Sequence, residues 1–224
     1  FEYSFTTPYD ITSGMTLNYT ANVANVIRDG LAFVEDFQFN SDGSEMYVLS
    51  SNTDSIHKLK LTTPYNFTTA KYARFDLNRY PISSPTATAP RTITFANNGT
   101  VFFLGSANAG AASTSANIYM FAMASSPYDV NTATFVANST HQFTLPNFTL
   151  RPGAQSAYSI DFDPTGTIML VANQLQNSYL QFSMNIPYRL DTINSSLNLI
   201  VANSYQRVEI GLGADVSESS LEAA

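Results

Sequence analysis

Two histidines, His57 and His141, are the only imidazoles in the chain, and cysteine is absent. The lack of cysteine removes disulfides, thiolate metal sites and thiol nucleophiles together, and leaves the redox compartment open. A zinc site needs three or four ligands and a Ser-His-Asp triad needs a histidine beside a buried acid; the spacing of His57 and His141 offers neither, and there is no G-x-S-x-G elbow. Each histidine reads as a structural or surface residue of a strand. Asp161 and Asp163 form a D-x-D pair on one strand face whose oxygens would suit calcium. Calcium takes about six to eight oxygens, and the repeat equivalents Gln38/Asn40 and Thr94/Ala96 bring no acid, so Asp163 reads as the cap of the Pro164-Thr-Gly166 turn. The small-residue run at 105–116 lacks the Lys-Ser/Thr ending of a phosphate-binding loop and reads as a plain connector. Arg28/Asp29 and Arg74/Asp76 read as solvated pairs worth little. No catalytic residue, metal site or cofactor is expected from these groups.

The surrounding composition narrows the partners. Charged residues make up 12% of the 224 residues, well under the roughly 25% of an average soluble protein, so the surface must be rich in Ser, Thr and Asn. The net charge of -7 comes from 17 acids against 10 bases without a basic run, which excludes a nucleic-acid footprint. No run of apolar residues is long enough for a membrane-spanning helix. The chain starts at Phe1 with no basic lead-in to an apolar stretch, so no signal peptide is read and a processed or truncated start is expected. N-x-S/T sequons stand at Asn18, Asn66, Asn98, Asn138, Asn147 and Asn194. They are possible glycosylation sites, though a chain so rich in Asn, Ser and Thr yields about that many by chance.

An internal repeat supplies the elements that would position any site. Thr62-Thr-Pro-Tyr-Asn-Phe-Thr-Thr-Ala70 echoes Thr6-Thr-Pro-Tyr-Asp-Ile-Thr-Ser13, Ser125-Ser-Pro-Tyr-Asp-Val-Asn-Thr-Ala133 and Ile186-Pro-Tyr-Arg-Leu-Asp-Thr-Ile193. The pairs Pro8-Tyr9, Pro64-Tyr65, Pro127-Tyr128 and Pro187-Tyr188 are thus spaced by 56, 63 and 60 residues. A second landmark ends at Gly43, Gly99 and Gly166, each preceded by a Phe four residues earlier, and marks a tight hairpin because glycine accepts positive φ without steric cost. Before each glycine runs an alternating strand (Phe37/Phe39, Ile93/Phe95, Ile160/Phe162), and after it a short apolar strand expected to be buried on both faces: 46–49, 101–104 and 168–171. A third strand follows with one buried face, then the Pro-Tyr turn, then a fourth strand near 71–77, 134–145 and 197–205. Proline fixes φ and gives no ladder hydrogen bond, which suits it to that connector. The tyrosines beside it could pack between repeats or stack on sugars, and repetition at one structural site favours packing.

Four antiparallel strands per unit of about 60 residues is the form of a β-propeller blade. The fold class expected is therefore all-β: three whole blades with partial terminal ones, as blades over 1–216 (a partial one at 1–30, then about 31–80, 89–145 and 155–205) and a polar tail at 217–224. The residues at these landmarks resemble propeller-like repeats of the pattern F-S-P-D-G-T-K-M-Y-V followed by L-S-T-P-[WFY]-D-[IV]-S-T-A, found in phage tail and virion proteins and in large bacterial surface proteins. The resemblance runs from about residue 3 to 195, closest at Phe162-Asp-Pro-Thr-Gly-Thr167 and Ser126-Pro-Tyr-Asp-Val-Asn-Thr-Ala133, and weakest at Pro187-Tyr-Arg-Leu-Asp-Thr-Ile193. It implies a non-enzymatic structural or receptor-binding component of a virion, such as a phage tail or surface fibre, located on a virion or an extracellular surface. The alternatives are a secreted or surface-anchored bacterial adhesin or lectin-like protein, and a calcium-dependent propeller hydrolase. Three and a half blades leave sheet faces open, so the expected partners are other copies of the chain or further blades of a longer one, with cell-surface glycans as possible ligands.

Overall fold

The computed structural model describes residues 2–8, 10, 12–20, 27, 34–51, 55–76, 90–106, 115–144, 157–173, 178–193 and 198–201. The chain divides into two units, one of residues 1–20 with 202–224 and one of residues 21–201. In the first, β1 (Glu2–Phe5) and β2 (Met15–Tyr19) form an antiparallel pair. Tyr9 and the 217–224 tail lie outside the described residues.

The second unit holds three four-stranded antiparallel sheets, each a simple meander. The first blade is β3 (Val34–Phe39), β4 (Glu45–Ser50), β5 (Ser55–Leu61) and β6 (Ala70–Asp76). The second is β7 (Pro90–Ala96), β8 (Val101–Ser106), β9 (Ser115–Met123) and β10 (Ala133–Thr144). The third is β11 (Ala157–Phe162), β12 (Ile168–Asn173), β13 (Ser178–Ser183) and β14 (Asn198–Val201). The first strands of successive blades lie side by side, β3 by β7 and β7 by β11. These are β-propeller blades with β3, β7 and β11 innermost, and the chain is all-β in its described part.

The first and second blades each pack their forward face onto the rear face of the next. Tyr47, Leu49 and Ile56 of the first blade join Ile93, Phe102, Leu104, Tyr119 and Phe121 of the second in one apolar cluster. Phe103, Ile118 and Met120 of the second join Ile160, Met169, Val171, Leu180 and Phe182 of the third in another. Alternation along the strand explains how one β8 residue serves each cluster: Phe102 faces back and Phe103 forward, and both are fully buried, each contributing about 1.5–3 kcal/mol over its exposed state. The expectation that the second strand is buried on both faces fails in the third blade, where Ile168 is only partly buried and Leu170 is exposed. Leu170 of β12 is 38% exposed, whereas its repeat equivalents Tyr47 and Phe103 are fully buried; no described blade covers the forward face of the third.

Charge and hydroxyl groups also bridge blades. The Asp36 carboxylate accepts from Thr92 Oγ1 (2.7 Å) and the Ile93 amide (3.0 Å), Gln38 Oε1 accepts from the Phe95 amide (2.7 Å), and Thr94 Oγ1 donates to the Ile160 carbonyl (2.5 Å). Inner-strand amides that have no partner within their own sheet are thereby satisfied by the preceding blade. At the rim, Tyr47 OH lies 2.5 Å from Glu45 Oε2 and 2.6 Å from the Tyr128 carbonyl of the next blade, and Lys58 Nζ sits 2.5 Å from Glu45 Oε1. Burial and the neighbouring Glu45 carboxylate push the Tyr47 phenol well above its ordinary range, so it stays a neutral donor.

Candidate functional site

The antiparallel order gives each blade two different ends. At one end lie the hairpin turns at 40–44, 97–100 and 163–167 and the Pro-Tyr turns at 62–69, 124–132 and 185–192. The two landmarks of the repeat form one unit there. Tyr65, Tyr128 and Tyr188 donate their amides to the Gly43, Gly99 and Gly166 carbonyls at 2.9, 2.8 and 2.9 Å. Their rings lie directly over those glycines: a Cβ added at Gly43, Gly99 or Gly166 would meet ring carbons at 2.4, 2.3 and 2.3 Å. The glycines adopt φ of 72°, 78° and 70° and the tyrosines φ of 58°, 62° and 58°. A tyrosine at positive φ costs of the order of 1–3 kcal/mol, and it is held there by the amide bond and the ring–glycine contact. The following Thr locks the Pro-Tyr turn: Thr69, Thr132 and Thr192 Oγ1 donate to the carbonyls of Asn66, Asp129 and Arg189 at 2.8, 3.0 and 2.8 Å. Ser13 does the same to the Asp10 carbonyl in the first unit at 2.8 Å. Pro64, Pro127 and Pro187 enter these turns and Pro8 the corresponding turn before β2.

Asp163 and Asp42 cap turns at this end, Asp42 by accepting from the Ser44 amide at 2.8 Å. Asp163 Oδ1 accepts from the Ile168 amide (2.7 Å) and Oδ2 from the Thr165 amide (3.2 Å), and the Thr165 hydroxyl and Ile168 amide hold its carboxyl below the usual range. Asn40 fills the same role in the first blade, accepting from the Glu45 amide at 2.9 Å. Asp161 contacts its own strand, accepting from the Phe162 amide at 2.8 Å. Among the sequon asparagines, Asn18 is exposed on β2, Asn66 caps Thr68 (3.0 Å to its amide), and Asn98 holds the positive-φ turn before Gly99. Asn138 lies on β10, and Asn147 and Asn194 fall outside the described residues. His141 lies on β10; His57, read from sequence as a structural or surface strand residue, is fully buried. It shares the rear-facing row of β5 with Leu59 and Leu61, which is the reason for its burial.

The opposite end is where the blades differ. There each inner strand skips one residue in its ladder, between Val34 and Asp36, Pro90 and Thr92, and Ala157 and Ser159. The skipped residues are Glu35, Arg91 and Tyr158, each eight positions before its turn glycine (43 − 35, 99 − 91 and 166 − 158). A β-bulge frees a side chain from the alternation and re-aims it, which is why bulges collect at barrel rims and beside active sites. Here the three form a row across adjacent blades. Arg91 Nη1 donates to Glu35 Oε1 at 2.7 Å, the Ser51 hydroxyl donates to the same oxygen, and the Arg91 guanidinium carbon stands 5.6 Å from the Tyr158 ring centroid. Arg91 Nε is buried with no hydrogen-bond partner, while the Arg91 and Glu35 side chains retain 27% and 14% of their exposure. The partly exposed Arg91 side chain, its guanidinium fixed between a carboxylate and an aromatic face, can receive a carbonyl, carboxylate or phosphate oxygen. Sequence reasoning passed over this row because each blade contributes a different residue type; counting back a fixed number from the turn glycines would find it. Among the described residues no group of three or more His, Cys, Asp or Glu could hold a metal ion, and no helix is long and apolar enough to cross a membrane.

No protein-family model and no curated protein matches the chain. Solved structures do. The periplasmic gluconolactonase of Pseudomonas aeruginosa aligns at 13% identity and a TM-score of 0.41 over 68% of this chain and 37% of that one. A Bacteroides uniformis protein assigned as a 6-phosphogluconolactonase aligns at 15% identity and 0.43 over 88% and 49%. The β-propeller domain of Cps50 from Myceliophteria thermophila aligns at 8% and 0.42 over 76% and 44%. The chain spans less than half of each of these solved chains, and at such identities the likeness is one of fold. Two expectations are corrected by it. The reading as a non-enzymatic component of a phage tail or surface fibre, and the reading as a non-enzyme, give way because the matched propellers include gluconolactonases, which are enzymes.

Proposed function

We propose that the chain is part of a propeller hydrolase acting on a small polar ester, at the bulged end of its inner strands. The observation that carries the reading is the aligned row of Glu35, Arg91 and Tyr158. Arg91 would bind the ester carbonyl oxygen and stabilise the charge that develops on it, since a preorganised cation in a half-buried site costs no reorganisation when the reaction occurs. Glu35, 2.7 Å from Arg91, would take the proton of the attacking water and return it to the alkoxide oxygen as the acyl C–O bond breaks. Tyr158 would hold the guanidinium plane in place. Lactones of sugar acids are the first substrates to assay, because gluconolactonase and 6-phosphogluconolactonase are the names the neighbouring folds carry. Further blades, from other copies or a longer chain, would complete the propeller around this row.

The test is proton release during hydrolysis of gluconolactone and of its 6-phosphate, corrected for spontaneous opening and run with calcium and with a chelator. Hydrolysis above background, lowered at least ~100-fold by Glu35→Gln and lost with Arg91→Met, supports the reading. Rates equal to background on both lactones, in both metal conditions, overturn it.

A further inference from the structure

Tyr119, Ser106 and Asn117 make a buried polar corner in an otherwise apolar boundary between blades. Leu104 pairs with Tyr119 and Ser106 with Asn117 across β8 and β9, so these four side chains share one face of the second blade. Leu104 and Tyr119 lie in the cluster that includes Tyr47, Leu49 and Ile56 of the first blade, which makes it the rear face. Tyr119, Ser106 and Asn117 are 1%, 2% and 6% exposed. Ser106 ends β8 and Asn117 lies near the start of β9, so the corner sits at the bulged end.

The equivalent corners show which member is unusual. Counting from the turn glycines, Ser106 corresponds to Ser50 and Asn173, and the ladder partners of these two are Ser55 and Ser178. A polar cross-strand pair thus recurs in all three blades. The next residue on that face of the third strand does not recur: it is His57, Tyr119 and Leu180 in turn. Tyr119 brings into the boundary a hydroxyl that meets no hydrogen-bond partner among the described residues. Burial pushes the phenol above its ordinary range while the Ser106 and Asn117 side chains pull it the other way, so both stand near the hydroxyl without bonding it directly.

A buried hydroxyl left unbonded carries its full desolvation cost, and buried groups of this kind are met by ordered water that holds about three polar partners. We infer that one water is bound between the first and second blades at this corner, accepting from the Tyr119 hydroxyl and donating to Ser106 Oγ and to the Asn117 side-chain oxygen. Ser106 can accept because its own proton is directed at the Asn117 carbonyl, 3.5 Å away, and its oxygen keeps lone pairs. A hydroxyl so enclosed admits nothing larger than water. The bound water belongs to the fold and is independent of the hydrolase reading.

A crystal structure that resolves bound waters should show density about 2.7–3.0 Å from the Tyr119 hydroxyl, Ser106 Oγ and the Asn117 side chain. Tyr119→Phe, which keeps the ring, reads the same contact in solution. With the hydroxyl bonded to water, the variant loses that bond and its urea midpoint falls below wild type. With the hydroxyl an orphan, its deletion removes a desolvation cost and the midpoint rises. Ser106→Ala strips a second partner from the same water, so the separate losses of Tyr119→Phe and Ser106→Ala should sum to more than the loss of the double variant. No density at the corner, a Tyr119→Phe midpoint equal to or above wild type, or strictly additive losses would each overturn the inference.

Discussion

The two ends of the blades obey different rules. At the turn end the same residues recur in all three blades: Gly43, Gly99 and Gly166 under Tyr65, Tyr128 and Tyr188, with Thr69, Thr132 and Thr192 closing each turn. At the other end one position, the bulge of the inner strand, carries Glu35, Arg91 and Tyr158 in turn. Repetition at equivalent sites marks what every blade needs in order to fold. Divergence at equivalent sites, in a row that remains connected by a 2.7 Å ion pair and a ring contact, is what the proposed function rests on. Substitutions at the first end should cost stability, and substitutions at the second should cost activity alone.

The largest effect on folding is expected at the turn glycines. Gly99→Val places a branched side chain at φ 78° and against the Tyr128 ring. A loss of about 2–4 kcal/mol should lower the thermal midpoint in circular dichroism by roughly 5–15 °C. Next comes the interblade lock. Tyr47→Phe removes the hydroxyl shared with Glu45 and the Tyr128 carbonyl and should cost about 1–3 kcal/mol in urea unfolding. A smaller effect is expected from acid. The Asp163 carboxyl is lowered by the Thr165 hydroxyl and the Ile168 amide, and that of Asp42 by Ser44. A group whose folded pKa lies below its unfolded value of about 3.9 stabilises fully above that value and loses the contribution as pH falls through the folded pKa. The thermal midpoint should therefore fall below about pH 4, and Asp163→Asn should shrink that fall. Smallest of all is Arg91→Met, for which stability should change by about 1 kcal/mol or less while hydrolysis disappears. If Arg91→Met unfolded the chain, or Gly99→Val left it as stable as before, the division between the ends would fail.

Much of the fold is legible in the sequence because it rests on backbone chemistry that few residues can perform. Glycine at the hairpin and proline before tyrosine in the connector both recur at the blade period, and the strands between them alternate as half-buried strands must. The positive φ of Tyr65, Tyr128 and Tyr188 is not legible, since nothing in a Pro-Tyr pair says that the ring will cover a glycine from a different turn. The burial of His57 follows from its row with Leu59 and Leu61, although a histidine taken by residue type suggests the surface. Nor does the bulge row stand out: Glu35, Arg91 and Tyr158 share no chemistry, and only the slipped pairing in each inner strand brings them together. Leu170 departs from its apolar run for a reason outside its own strand: among the described residues no further blade covers that face of the third.

The claim that function lies at the bulged end is tested most directly by amide chemical shifts in an isotope-labelled chain titrated with gluconate, the product of the assayed lactone. The account predicts shifts centred on residues 34–36, 91–92 and 157–159, with the amides of the turn residues 40–44 and 62–69 unmoved. Shifts centred on the Pro-Tyr and glycine turns instead, or none at millimolar gluconate, would contradict it.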